Sequence, residues 1–189
     1  MSSDLLRLFR RLGLNSHTQV PHPRSKSQLD YLDRVVAIPK LLYDSTVYID
    51  LLQDRFPRSL DGLLKAADSW HSTVTEAELL ATCGLLRPDH ADTPKVIAKV
   101  RASIESRQEY RILSPDREVW AAAGILSAIL SRLQQRSRTD RILLLNDALL
   151  LETARKHGLA VLTRNAKDFD LLQQLEPSAR VLFYDRTES

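Results

Sequence analysis

The chain has 189 residues with a formal charge of +3, 43% of them apolar and 27% charged, which is enough apolar material for a packed domain and too much for a disordered chain. The single cysteine, Cys83, excludes a disulfide framework and a multi-cysteine zinc site, and five glycines argue against a turn-rich sandwich or barrel. The longest nearly apolar run, residues 121–130, is too short to cross a membrane, and Arg7, Arg10 and Arg11 interrupt the front where a secretory leader would be apolar; a soluble, helix-rich, cytoplasmic protein without a membrane partner is expected.

Ser3 and Asp4, followed by Leu5, Leu8, Phe9 and Leu12, predict a short capped amphipathic helix with arginines on its other face. Residues 15–27, poor in apolar side chains and containing two prolines, read as a linker, and residues 28–37 as a second short helix. Residues 1–40 hold seven basic and three acidic residues, so the excess positive charge belongs to this extension, residues 1–37. The body, residues 38–189, alternates. Strands are predicted at 40–46, 70–74, 110–113, 159–163 and 180–184. Helices are predicted over 60–69, from Thr75 onward, over 94–108, over 115–135, and over 146–157 with its stop at Gly158. Such alternation implies a three-layer α/β/α fold around a central parallel sheet of four or five strands.

Open parallel sheets bind ligands beyond the carboxyl ends of their strands. Asp44 follows the first strand, Thr75-Glu76-Ala77-Glu78 the second, and Thr163-Arg164-Asn165-Ala166-Lys167-Asp168 the fourth; Asp147 is expected to open a helix after the apolar run 142–145. Each acid has a plain local explanation. Asp44 could turn the chain out of its strand, Glu78 could complete a capping box with Thr75, and Asp147 and Asp168 could cap helices. Their joint placement, however, is what a hard divalent cation requires, because such ions take oxygen ligands. Cys83 reads as a small core residue. Arg132, Arg136, Arg138 and Arg141 read as a solvated helix end slightly ahead of an RNA contact.

The order and spacing of these segments resemble the PIN-domain ribonucleases, specifically the VapC-type toxins of toxin–antitoxin pairs, over roughly residues 38–186. The resemblance lies in Asp44-Ser45-Thr46-Val47, in Thr75-Glu76-Ala77-Glu78-Leu79, in Asp147-Ala148-Leu149 with Ala154 to Gly158, and in Thr163-Arg164-Asn165-Ala166-Lys167-Asp168-Phe169. It implies that Asp44, Glu78, Asp147 and Asp168 form an acidic quartet holding Mg²⁺ or Mn²⁺, with Thr46, Thr163 and Asn165 lining the pocket. The family's usual asparagine two places after the first aspartate is Thr46 here, a hydroxyl in place of an amide. The extension is unusual for the family.

The resemblance further implies metal-dependent hydrolysis of RNA phosphodiester bonds, leaving a 5′-phosphate and a 3′-hydroxyl, by the toxin of a pair with a cognate antitoxin and a homodimeric assembly. Two rival functions are a PIN-fold nuclease of RNA maturation or decay without an antitoxin, and a non-catalytic RNA-binding or interaction protein that keeps the fold and uses the acids as caps.

Overall fold

The computed structural model describes residues 2–14, 16–37 and 40–187. Five parallel strands form one sheet: β1 (Lys40–Tyr43), β2 (Asp68–Ser72), β3 (Ile112–Leu113), β4 (Ala160–Thr163) and β5 (Arg180–Phe183), in the order β3-β2-β1-β4-β5. All five lie where the alternating pattern puts them, within a few residues. β1 is central, with Leu42 opposite Trp70 of β2 and Val161 of β4.

The two-residue period of the strands sorts the core into two layers. Leu41, Tyr43, Ala160, Leu162 and Leu182 face α2 (Ser45–Leu52), α3 (Asp61–Ala66), α4 (Thr73–Gly84) and α5 (Thr93–Glu105), with Val47, Leu79 and Val100 closing that side. Leu42, Val161, Val181 and Phe183 face α6 (Arg117–Leu133), α7 (Arg138–Lys156) and α8 (Ala166–Leu175), where Leu126, Leu130, Leu149 and Leu172 are buried. The result is the three-layer α/β/α arrangement expected from the alternation. Gly158, at φ +66°, ends α7 in the left-handed conformation that glycine adopts without steric cost.

Three local expectations are corrected. The apolar run 142–145 belongs to α7, which starts at Arg138, so Asp147 sits in the third turn of a helix rather than at its start. Ser72, not Thr75, caps α4, its side chain accepting from the Val74 amide; Thr75 instead donates to the Tyr43 carbonyl at 3.0 Å, which leaves Glu78 no capping role. Residues 28–37 form no α-helix: single 3₁₀ turns at Lys26–Gln28 and Leu32–Arg34 flank Tyr31, which forms a parallel bridge to Phe183 at the β5 edge.

The extension is part of the packed body. In α1 (Ser2–Arg11) and the turn after it, Leu8 and Leu12 are buried in the core layer of α6 and α7; the cap expected from Ser3 and Asp4 lies outside the described side chains. Arg11 pairs with Glu152 at 3.0 Å and also with Glu176, both almost wholly buried. Arg24 donates to Asp170 from its side chain at 2.5 Å and from its backbone N–H at 2.7 Å. Three buried carboxylates of the body thus take cations from the first 24 residues, and the segment read as a linker is anchored at Arg24.

Candidate active site

Strand order reverses between β1 and β4, and a crevice opens at such a switch beyond the strands' carboxyl ends. Asp44 leaves β1 on one side of that crevice and Thr163 ends β4 on the other; the Asp44 N–H donates to the Leu162 carbonyl at 3.1 Å. Asp44 is buried and caps α2, accepting from the Ser45 N–H at 2.8 Å. Its Oδ2 accepts from the hydroxyls of Thr46 at 2.6 Å and Thr163 at 2.7 Å. Asp44 therefore caps the helix that follows its strand and stands in the same crevice as Thr163. Thr46 fills two roles, since its hydroxyl also accepts from the Arg164 N–H at 3.2 Å and so ties α2 to the turn after β4.

Asn165 is the hub of the second half. It caps α8 by accepting from the Asp168 N–H, while its Nδ2 donates to Asp147 Oδ2 and to Asp168 Oδ2, each at 3.2 Å. Asp168 is thus at the third position of α8, not its cap. Glu78 enters from the second turn of α4 and accepts from the Asn146 amide at 2.9 Å. Hydrogen bonds and charge interactions link all seven residues expected at the site: Asp44, Thr46, Glu78, Asp147, Thr163, Asn165 and Asp168.

The charges report the same convergence. Burial holds the Asp147 carboxyl well above its ordinary value, and repulsion from Asp44, Asp168 and Glu78 raises it further, against a smaller opposing pull from Arg136. Burial also raises Glu78; hydrogen bonds from Ser45 and Asn146 offset part of the rise, and the charge of Asp44 adds to it.

Two features were not expected from the sequence. Arg136 turns inward from the α6–α7 loop and approaches Asp168 Oδ1 at 2.7 Å, although the oxygen lies outside hydrogen-bonding alignment and has no aligned donor. Its neighbours at 132 and 141 are exposed, as a solvated helix end requires, and the Arg138 side chain lies outside the described ones. Behind the crevice, wholly buried Asp50 accepts from Arg164 Nε and from the Tyr184 hydroxyl, both at 2.8 Å, and so braces the turn carrying Thr163 and Asn165. An acid on an apolar helix face is a signal for such a brace, but the pairing with a residue 114 positions away has no local signature.

Among the described residues, no three acid, histidine or cysteine side chains are drawn in closely enough to share one cation. Asn165 stands between Asp147 and Asp168, and Arg136 lies against the other oxygen of Asp168. The donor set nonetheless suits a hard divalent ion, being all oxygen and carrying negative charge that Arg136 only partly balances.

The PIN-domain family profile matches residues 41–174. The chain belongs to the PIN-domain family. PIN domains are generally nucleases, and they generally use divalent metal ions. No curated protein matches the sequence closely enough to count as a relative. Solved structures share the fold at low identity. FitAcB from Neisseria gonorrhoeae is 21% identical with a TM-score of 0.54, covering 77% of this chain and 96% of its own. VapBC2 from Rickettsia felis, bound to a DNA fragment from its promoter, is 16% identical with a TM-score of 0.55, covering 77% and 98%. DNA-bound VapBC from Salmonella typhimurium is 22% identical with a TM-score of 0.54, covering 77% and 98%. The family match begins after the extension, so residues 1–37 lie outside it. No helix among the described residues is long and apolar enough to cross a membrane.

Proposed function

We propose that this PIN-domain protein is an endoribonuclease dependent on Mg²⁺ or Mn²⁺, and the toxin of a pair with a cognate antitoxin. The observation that carries the catalytic reading is the placement of Asp44, Glu78, Asp147 and Asp168 around the β1–β4 switch, where Thr163 donates to Asp44, Asn165 bridges Asp147 to Asp168 and Asn146 holds Glu78. The toxin reading is supported by the fold shared with VapBC and FitAcB; a homodimer and a cytoplasmic location belong to the same reading.

In this reading Asp44, Glu78, Asp147 and Asp168 are the residues that hold the metal. When bound, the ion supplies positive charge beside the scissile phosphate and lowers the pKa of water. The chain's own part is positioning. Thr46 and Thr163 fix one oxygen of Asp44, leaving that carboxylate little freedom to turn. Asn165 holds Asp147 and Asp168 a fixed distance apart, and Asn146 orients Glu78. No serine, cysteine or histidine nucleophile is needed.

The test is incubation of total RNA with purified protein and Mg²⁺ or Mn²⁺, with the cut ends mapped, beside Asp44→Asn and Asp147→Asn. Each substitution removes a charged oxygen at nearly constant volume. Both variants should fold and lose metal-dependent cleavage, and the ends should be 5′-phosphate and 3′-hydroxyl. Cleavage retained within a few-fold in both would sink the assignment. Growth arrest on expression, relieved by the product of a small adjacent reading frame, separates a toxin from a nuclease of RNA maturation.

A further inference from the structure

A cavity of about 670 Å³ lies against the outer side of the acid cluster, bounded among others by Arg136, Asp140, Leu143, Lys167 and Asp168, with Val20 of the extension as part of its wall. Asp140, Leu143 and Asp147 recur at helical spacing on α7, so the cavity follows one face of that helix from its first turn toward the acids. From Asp140 to Asp147 the helix rises by about 10 Å.

The two ends of this cavity differ in character. Next to Asp168 stands Arg136, largely buried and held by three constraints. Its backbone N–H donates to the Ser131 carbonyl at 2.9 Å, its Nε donates to Gln134 at 2.8 Å, and Gln135 before it is in the left-handed region at φ +52°. Lys167 extends from the first turn of α8 on the same side. Asp140 accepts from the Ser137 hydroxyl at 2.7 Å and lies within the field of both cations. The cavity also has apolar wall: Val20 is 44% exposed and Leu143 64% exposed, more than a residue in a closed core would be.

We propose that this cavity is the binding site for the nucleotide next to the scissile phosphate in single-stranded RNA, with Arg136 and Lys167 taking its phosphate and Val20 and Leu143 its base. The inference rests on the nuclease reading and extends it to a specificity site. A polyanion approaching four carboxylates is repelled, and cations at their rim, Arg136 against Asp168 and Lys167 next to it in the chain, are where the strand gains that energy back. An unpaired base offers an apolar face to such a wall, whereas a base inside a duplex cannot be turned into it. Val20 lies outside the PIN-domain match, so this wall is the extension's own contribution to the site.

The experiment uses the full chain carrying Asp44→Asn, with Mg²⁺ and a fluorescent single-stranded oligoribonucleotide followed by anisotropy over a range of salt. Added to that background, Val20→Asp replaces the apolar wall with a carboxylate and Lys167→Gln removes one cation; melting curves establish that both variants fold. Val20→Asp should weaken binding by about tenfold, the scale of one lost base contact. Lys167→Gln should weaken binding and reduce the slope of log affinity against log salt by about 0.7, the loss of one single-strand phosphate contact. Binding within two-fold of the background for both, with an unchanged slope, overturns the inference, as does absence of any binding by the Asp44→Asn chain. The two readings fail separately. Cleavage by the native chain with no effect of the rim variants removes the subsite and leaves the nuclease. Rim effects on binding with no cleavage under any metal remove the nuclease and leave an RNA site.

Discussion

Asp44 and His71 lie at the ends of neighbouring strands and stand in different surroundings. Asp44 spends its oxygens on donors from α2 and β4, so its carboxylate is held from several directions. His71 accepts at Nδ1 from the Tyr48 hydroxyl in the layer between β2 and α5, and burial lowers its pKa to about 4, helped by the positive charges of Arg107 and Arg111. The imidazole is therefore neutral in the folded protein where the unfolded chain would begin to charge. A base whose folded pKa is depressed contributes stability that is intact above the unfolded value, here 6.5, and is lost as pH falls toward about 4. His71→Gln keeps an acceptor for Tyr48 without the titration. Urea unfolding at pH 7 and pH 5 should show a smaller difference in the variant than in the native chain; equal differences would mean that His71 is solvated enough to charge in place.

At the scale of elements, α1 shows how a short helix is held by a larger body. Alone it would be marginal in water, being shorter than about 12 residues. On the body it buries Leu8 and Leu12 and carries Arg11 to Glu152 and Glu176. Arg155 also reaches Glu152 at 2.9 Å, whereas Glu176 has Arg11 as its cation among the described residues. Arg11→Met should therefore cost about 3–5 kcal/mol, because it leaves a buried carboxylate without its partner. Arg10→Met on the exposed side should change stability by less than about 0.5 kcal/mol. Equal effects of the two in chemical denaturation would mean that the Arg11 pairs are solvated. The apolar stripe of α1 was legible in the sequence, and so were the five strands, because periodicity records which face is buried. What covers the stripe was not. Long-range pairs such as Arg11–Glu176, Arg24–Asp170 and Asp50–Arg164 have no spacing rule, and residues 15–27 looked like a linker because a segment fixed by a few ion pairs needs little apolar content. The acids of the site were legible from order along the chain; Arg136 was not, since its turn inward depends on the left-handed backbone at Gln135.

Across the whole molecule, the sheet order sets the site and the site costs the fold stability. Reversal of order at β1 brings together acids from α2, α4, α7 and α8, elements that share no local sequence. Asp147 bears most of the strain: burial first, then Asp44, Asp168 and Glu78, raise its pKa well above 3.8. An acid whose folded pKa is raised contributes stability that is intact below the unfolded value and is lost as pH rises through the folded one. Without metal, the native chain should therefore weaken as pH climbs from about 4 through the raised value, and Asp147→Asn, which keeps an oxygen for the Asn165 amide, should flatten that part of the profile and melt higher. Metal reverses the balance. An ion bound only by the folded state stabilises it by about 2.7 kcal/mol at a hundredfold excess over its dissociation constant. For a domain of this size that corresponds to a rise of roughly 5–10 °C in Tm. Thermal melts of both proteins, in chelator and in millimolar Mn²⁺, read out all of this without knowledge of the RNA. The native chain should gain from metal and the variant should gain little, having started higher. Acids that merely cap their helices give the opposite pattern: no response to metal in either protein, and an Asp147→Asn variant that is neutral or less stable than the native chain.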